Sequence, residues 1–294
     1  EVLERLRDTL RGDKYRADIE RRYAIKNTMG YGINSFLDFD TPAKILEHLM
    51  IGSEGTLGFV AEAVFNTVPV PKRTATGLLM FDSLDAATEA LPKLVYSGAD
   101  VVELIDAASI RAMGPDASSV LPKGFNVDQH ASLLVEYQAM DDEGIAEHIA
   151  TGEATFEQLD GLSTPPEMTN EASRRAQMWV MRNGLYTKIM RSRPKGTMAL
   201  LEDIAVPMEQ LGGVCTELQV LFDKHNYDGA VIFGHAKNGN IHFLVTEDFA
   251  GPESLNRYDQ FTEDMVELVL REQGTLKAEH GTGRIMSPFV HRQY

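Results

Sequence analysis

One cysteine, Cys215, stands in 294 residues. A single thiol excludes an intrachain disulfide and a four-cysteine iron–sulfur cluster. It sits in an apolar, helix-like run, Val214 to Leu221, which predicts a buried core thiol rather than a nucleophile, and usage of this kind fits a reducing cytoplasm. Positive charge is also scarce, with 28 Lys and Arg against 44 Asp and Glu and a net charge of -16. Nucleic acid is therefore not the expected partner, because neutralising phosphates needs clustered basic residues. An anionic substrate would instead need a locally positive site, built from a metal or from particular arginines. Long hydrophobic runs are missing too: none reaches the roughly 18 residues of a membrane-spanning helix. The opening stretch, Glu1 to Asp13, is charged rather than signal-like, so the chain reads as neither integral to a membrane nor visibly exported.

What remains is an ordinary globular composition, 43% hydrophobic and 24% charged, large enough for one large domain or two moderate ones. Glu1 stands where an initiator Met is expected, and the sequence through Val290 to Tyr294 still reads as structured, so a fragment is expected. The first 70 residues read as irregular and Gly-rich around Gly30 and Gly52, with a short helix over Pro42 to Met50 that carries Pro in its first turn. A boundary is predicted at Pro69-Val70-Pro71.

From Thr76 the predicted order is a strand (76–81), a helix after Ser83, strands at 100–105 and 132–138, and a helix over 142–159. Pro92 predicts a break in the first of these helices. After a polar helical stretch around 170–190 the order recurs: strand 198–206, helix 208–225, strands 229–235 and 241–246, helix 253–272. The fold class is thus α+β, a β-α-β-β-α unit present twice, as in duplicated ferredoxin-like halves sharing a sheet.

The sharpest local signal is Gly234-His235-Ala236-Lys237-Asn238-Gly239-Asn240-Ile241-His242. Asn-Gly between two apolar runs predicts a two-residue hairpin turn, which pairs residue 237 with 240 and His235 with His242. Directly opposed histidines would have Cβ atoms roughly 4.5–5.5 Å apart, near enough for both rings to reach one divalent ion. Two histidines alone are as well explained as ordinary hairpin residues. A third ligand is offered by Ala278-Glu279-His280-Gly281-Thr282-Gly283, where an extended backbone would point Glu279 and His280 to opposite sides. Together these give a two-His, one-carboxylate set with an open position.

At these residues the sequence resembles the vanillyl-alcohol-oxidase type of FAD-linked oxidase, in the branch of D-lactate, glycolate and D-2-hydroxyglutarate dehydrogenases. Three segments carry the likeness: Lys26-Asn27-Thr28-Met29-Gly30-Tyr31, Gly52-Ser53-Glu54-Gly55-Thr56-Leu57-Gly58, and the histidine hairpin with Glu279-His280-Gly281. The resemblance implies that residues 1–70 are the tail of an α+β FAD-binding domain and 71–294 the substrate domain. It implies that Lys26, Gly30, Tyr31, Gly52, Ser53, Glu54, Gly55, Thr56 and Gly58 border FAD, and that Arg182 in Trp179-Val180-Met181-Arg182 binds the substrate carboxylate. His280, expected on the opposite side of its segment from Glu279, is the expected catalytic base that takes the hydroxyl proton. The family's Gly-rich pyrophosphate loop has no counterpart here, so only half the FAD site is expected, with weak FAD binding. The likeness is strongest to a subgroup in which iron–sulfur domains follow, beyond Tyr294.

Two departures stand out. Lys237 and Asn238 replace the family's Gly and Asp in the hairpin, which keeps both histidines. Leu201, beside Glu202 and Asp203, replaces the lysine that the hydroxyglutarate enzymes carry, which argues against a dicarboxylate held there.

The resulting expectation is oxidation of a small, D-lactate-like 2-hydroxy acid to the 2-oxo acid. FAD takes the hydride, a divalent metal, zinc as first choice, sits on His235, His242 and Glu279, and a separate electron acceptor follows. The expected location is cytoplasmic, with peripheral attachment at the inner membrane as the second expectation. The rivals are a metal-dependent hydrolase, since the same ligands could activate water, and a noncatalytic domain completed by a partner that carries the cofactor. The hydrolase leaves Lys26 to Tyr31 and Gly52 to Gly58 unexplained.

Overall fold

A computed structural model describes all residues, 1–294, which form two compact units: residues 1–68, 203–207 and 266–294, and residues 69–202 and 208–265.

The second unit is built on one sheet. Its strands are β1 (Arg73–Phe81), β2 (Val101–Ile105), β3 (Ala131–Ala139), β4 (Glu167–Thr169), β5 (Met198–Ala205), β6 (Val231–His235) and β7 (Asn240–Glu247). They lie in the order β4-β1-β3-β2-β6-β7-β5, and β1–β3, β3–β2, β2–β6 and β6–β7 are antiparallel. The two halves, β1-β3-β2 and β6-β7-β5, repeat one arrangement and meet at β2–β6, which is the duplicated α+β architecture expected from the order of elements. The last three residues of β5 belong to the first unit.

The predicted helix break is present: Leu84–Glu89 ends at Ala90, and Pro92 occupies the first turn of a new helix, Leu91–Tyr96. There its missing N–H costs nothing. Between β2 and β3 lie two helices that the periodicity did not announce, Ala107–Met113 and Pro115–Ser118. Cys215 is fully buried, and burial pushes its thiol well above the ordinary range, as an inert core thiol requires.

Strand periodicity sorts the sheet's side chains by face. Register places Ile105 beside Phe233 and Ser132, and Leu78 beside Leu134. With Met178 and Met181 of the helix Ala172–Asn183, and with Ile110 and Met113, the apolar residues Leu78, Ile105, Leu134 and Phe233 make one continuous core. The same face carries the polar side chains of Glu103, Glu136 and His235, the first two of them buried.

The first unit corrects the reading of residues 1–70 as irregular apart from one short helix. Helices span Val2–Leu10 and Asp13–Arg22, joined by Arg11, whose guanidinium donates to the carbonyls of Phe36, Leu37 and Phe39. Phe36, Ile45 and Leu49 form a small core with Leu3, Leu10, Ile33 and Phe39 around it. The predicted helix over 42–50 is present as Pro42–Leu49, with Thr41 capping Lys44 N. Ala205 bridges Thr275 within the same unit.

No helix is long and apolar enough to cross a membrane.

Candidate functional site

In the second unit the histidine hairpin forms, though not with the expected turn. Phe233, not His235, lies opposite His242. The connection is a 3-10 turn, Ala236–Asn238, closed by Gly239 N donating to Ala236 O. Gly234 explains the change. Its φ of +154° suits glycine, and a Cβ there would lie 2.7 Å from the Ile241 Cα, so the two backbones touch where a side chain would hold them apart. Lys237 then anchors the turn by donating to the carbonyls of Ala99 and Asp100. The register differs by two residues from the expected one, and a shift of two preserves the face of every side chain. His235 and His242 therefore still share a face as diagonal neighbours, with ring centroids 5.4 Å apart and planes nearly perpendicular.

His235 is held by a residue that lies outside the sequence motifs. Glu103 on β2 is its direct cross-strand partner. Glu103 Oε1 lies 2.5 Å from His235 Nδ1, and Glu103 Oε2 accepts from Arg182 Nε at 2.6 Å. Burial alone would raise the Glu103 carboxyl, but the His235 hydrogen bond and the Arg182 charge outweigh it and hold it below the usual carboxylate range. The available signal was an acid inside the apolar run Val101-Val102-Glu103-Leu104-Ile105, since a buried charge seldom occurs without a partner.

Arg182 belongs to the helix Ala172–Asn183, and its guanidinium stacks over the Phe233 ring at 4.9 Å. Its Nε is the nitrogen spent on Glu103, while the terminal amino groups of the fork retain the geometry for a carboxylate. Two contacts one and two turns earlier fix this helix against the sheet: Trp179 Nε1 donates to Glu136 at 2.8 Å and Arg175 Nε to Thr76 Oγ1 at 3.3 Å.

In the first unit the other motif segments interlock. Asp203 Oδ2, fully buried, accepts the backbone N–H groups of Ala278, Glu279 and His280 at 3.1, 2.7 and 2.9 Å. Three successive donors converging on one oxygen require a curled backbone, a nest for an anion. The extended conformation expected here is absent, and with it the opposed directions of Glu279 and His280: His280 Nε2 is 3.9 Å from Glu279 Oε1. Ligand atoms of Asp203, Glu279 and His280 lie within 4.8 Å of one another. Carboxylate and imidazole donors of this kind fit a borderline divalent ion such as zinc.

Lys26 meets Glu279, with Nζ 2.9 Å from Oε2. Thr28 Oγ1 accepts from Gly281 N, Thr282 Oγ1 accepts from Gly30 N, and Glu54 Oε1 accepts from Gly283 N. Gly281 is required at its position: its φ is +76°, and a Cβ would lie 2.7 Å from Glu54 Oε1.

Six of the nine residues expected to border the cofactor, Gly30, Tyr31, Gly52, Ser53, Glu54 and Thr56, line one pocket of about 510 Å³ with Thr282 and Gly283. Gly55 and Gly58 do not line it. Its size and mainly apolar wall fit a planar aromatic ring system.

Residues 70–294 match the family model described as FAD linked oxidases, C-terminal domain. The chain belongs to this family. Among its relatives, the glycolate oxidase subunit GlcD of Bacillus subtilis (strain 168) is 27% identical over 83% of this chain and 50% of its own length. D-2-hydroxyglutarate dehydrogenase of Pantoea ananatis (strain AJ13355) is 25% identical over 86% of this chain and 26% of its own. The mitochondrial D-lactate dehydrogenase (cytochrome) of Arabidopsis thaliana is 25% identical over 84% and 42%. The chain spans about half the length of the first of these relatives. Among solved structures, alkyldihydroxyacetonephosphate synthase shares the fold, with a TM-score of 0.55 at 14% identity over 81% of this chain and 46% of that one. An FAD-linked oxidoreductase family and an α+β fold of the vanillyl-alcohol-oxidase type are thereby established for this FAD-linked oxidase domain.

Proposed function

We propose that this FAD-linked oxidase domain serves the oxidation of a small, D-lactate-like 2-hydroxy acid to its 2-oxo acid. In this reading residues 1–70 contribute the end of the FAD-binding domain and residues 71–294 the substrate domain. The relatives' names, glycolate oxidase and D-lactate and D-2-hydroxyglutarate dehydrogenase, support the substrate class. The observation that carries it is the Arg182 guanidinium, fixed at Nε by Glu103 on the sheet face that also bears His235 and His242.

Arg182 receives the substrate carboxylate through the open side of its fork. His235, His242 and Glu279 are the proposed ligands of one divalent ion, zinc as first choice, and His280 takes the hydroxyl proton as general base. When bound, the ion would lower the pKa of the hydroxyl and the flavin would accept the hydride. Gly30, Tyr31, Gly52, Ser53, Glu54 and Thr56 are the proposed flavin contacts in their shared pocket, while Lys26 acts on Glu279. Leu201, half-buried on β5 against the apolar core, offers no charge to a second carboxylate, which favours a monocarboxylate. Electrons then pass to a separate acceptor, for which an iron–sulfur domain outside this chain is the proposed class. The proposed location is cytoplasmic, or peripheral at the inner membrane.

The test is a steady-state assay of the FAD-loaded protein with an artificial electron acceptor against D- and L-2-hydroxy acids, with the 2-oxo product measured directly. Turnover of D-lactate or glycolate above D-2-hydroxyglutarate is expected. Absence of a 2-oxo product with every acid would end the proposal.

A further inference from the structure

Glu103 is 3% exposed and lies in a strand whose other members are all apolar. Burying a carboxylate there is costly unless both oxygens are engaged, and both are: Oε1 by His235 Nδ1 and Oε2 by Arg182 Nε. We propose that Glu103 is a positioning residue that fixes which ring nitrogen of His235 is left to bind a ligand and, through its second oxygen, sets the angle of the Arg182 fork. The first half of the proposal rests on the reading of His235 as a metal ligand.

An ionised carboxylate only accepts hydrogen bonds, so the proton in the 2.5 Å contact belongs to Nδ1. A neutral imidazole carries one N–H, which leaves the lone pair of Nε2 as the donor to a metal. Strand pairing makes the arrangement rigid, because Glu103 and His235 are direct partners on neighbouring strands and Ile105 and Phe233 are the next pair on the same face. Arg182 stacks on that same Phe233 ring. One buried carboxylate thus holds a proposed metal ligand and a proposed anion receptor at once, and a disturbance of either is felt by the other.

Glu103→Gln keeps the shape and removes this double role. An amide has one accepting and one donating end, so facing both His235 Nδ1–H and Arg182 Nε–H it must oppose a donor to a donor. The test uses ring-nitrogen NMR of the metal-free, histidine-labelled protein at a pH where the imidazole is neutral, and zinc affinity by competition with a chromophoric chelator. The wild type should show His235 as the Nδ1–H tautomer. Glu103→Gln should move it toward Nε2–H and weaken zinc about 10- to 100-fold, and Glu103→Asp should recover part of both. An Nε2–H tautomer in the wild type overturns the proposal without need of any variant. So does a Glu103→Gln protein that keeps both tautomer and zinc affinity. If the wild type binds no zinc while the tautomer switches as described, the metal reading fails and the Glu103 assignment stands.

Discussion

Lys26 Nζ lies 2.9 Å from Glu279 Oε2, with both side chains about one-third exposed. An ammonium on a carboxylate competes with a metal for the same oxygen. Lys26→Met should therefore tighten zinc binding by roughly two- to five-fold, the scale of a partly exposed ion pair, in a chelator competition at low ionic strength. Added salt should shrink the difference. Weaker zinc binding in the variant would instead make Lys26 a support that holds Glu279 in place.

Asp203 ties the segment Ala278 to His280 through three N–H groups on one oxygen. Asp203→Ala removes the side-chain acceptor of Glu279 N and His280 N, while Ala278 N keeps its bond to the Asp203 backbone carbonyl at 3.2 Å, a loss of about 1–3 kcal/mol or more. Amide hydrogen exchange at residues 278–280 should accelerate well beyond the change elsewhere. Uniform acceleration along the chain would show that Asp203 acts through global stability instead.

Much of the second unit was legible in sequence because its signals are local. Strand alternation and loop spacing are enough to read β-α-β-β-α twice, and Pro92 marks its own helix break. The hairpin turn misled because Asn238-Gly239 is a strong two-residue signal, and the backbone approach that Gly234 permits is not written in the turn itself. Of the helices over 2–22, the first does carry an apolar stripe, Val2, Leu3, Leu6 and Leu10, which the sequence reading did not use; the second is charged nearly all round, with Ile19 its one buried residue, so its stripe is faint. Glu103 and Asp203 were passed over as site residues for another reason. Their partners lie 79 and 132 residues away in one case and 75 to 77 in the other, beyond the reach of any spacing rule.

Burial raises Asp106 from its ordinary 3.8 to about 6, although its side chain caps Ser109 N at 2.8 Å. The folded protein therefore keeps a proton that the unfolded chain has released, so stability falls as pH rises from about 4 to about 6 and is level above. Asp106→Asn retains a capping oxygen and cannot ionise. Thermal unfolding should show the variant more stable than wild type at pH 7, by about 1–3 kcal/mol, with the advantage fading toward pH 4. A difference that does not depend on pH would refute this account of Asp106.

His280 carries the proposed base role although its ring lies beside Glu279. His280→Ala should keep its zinc and FAD content while turnover falls roughly 10²- to 10⁴-fold, and KM should change far less because Arg182 still holds the carboxylate. Loss of zinc along with activity would make His280 a ligand.

The central claim is that a 2-hydroxy acid reduces a flavin bound to this protein. Anaerobic mixing of the FAD-loaded protein with D-lactate, followed by the visible absorbance of the flavin, tests it in a single turnover. The account predicts bleaching at a rate that falls when the substrate carries deuterium at C2, and close to none in Arg182→Met at the same substrate concentration. A flavin that stays oxidised with D-lactate, glycolate and D-2-hydroxyglutarate alike would contradict it.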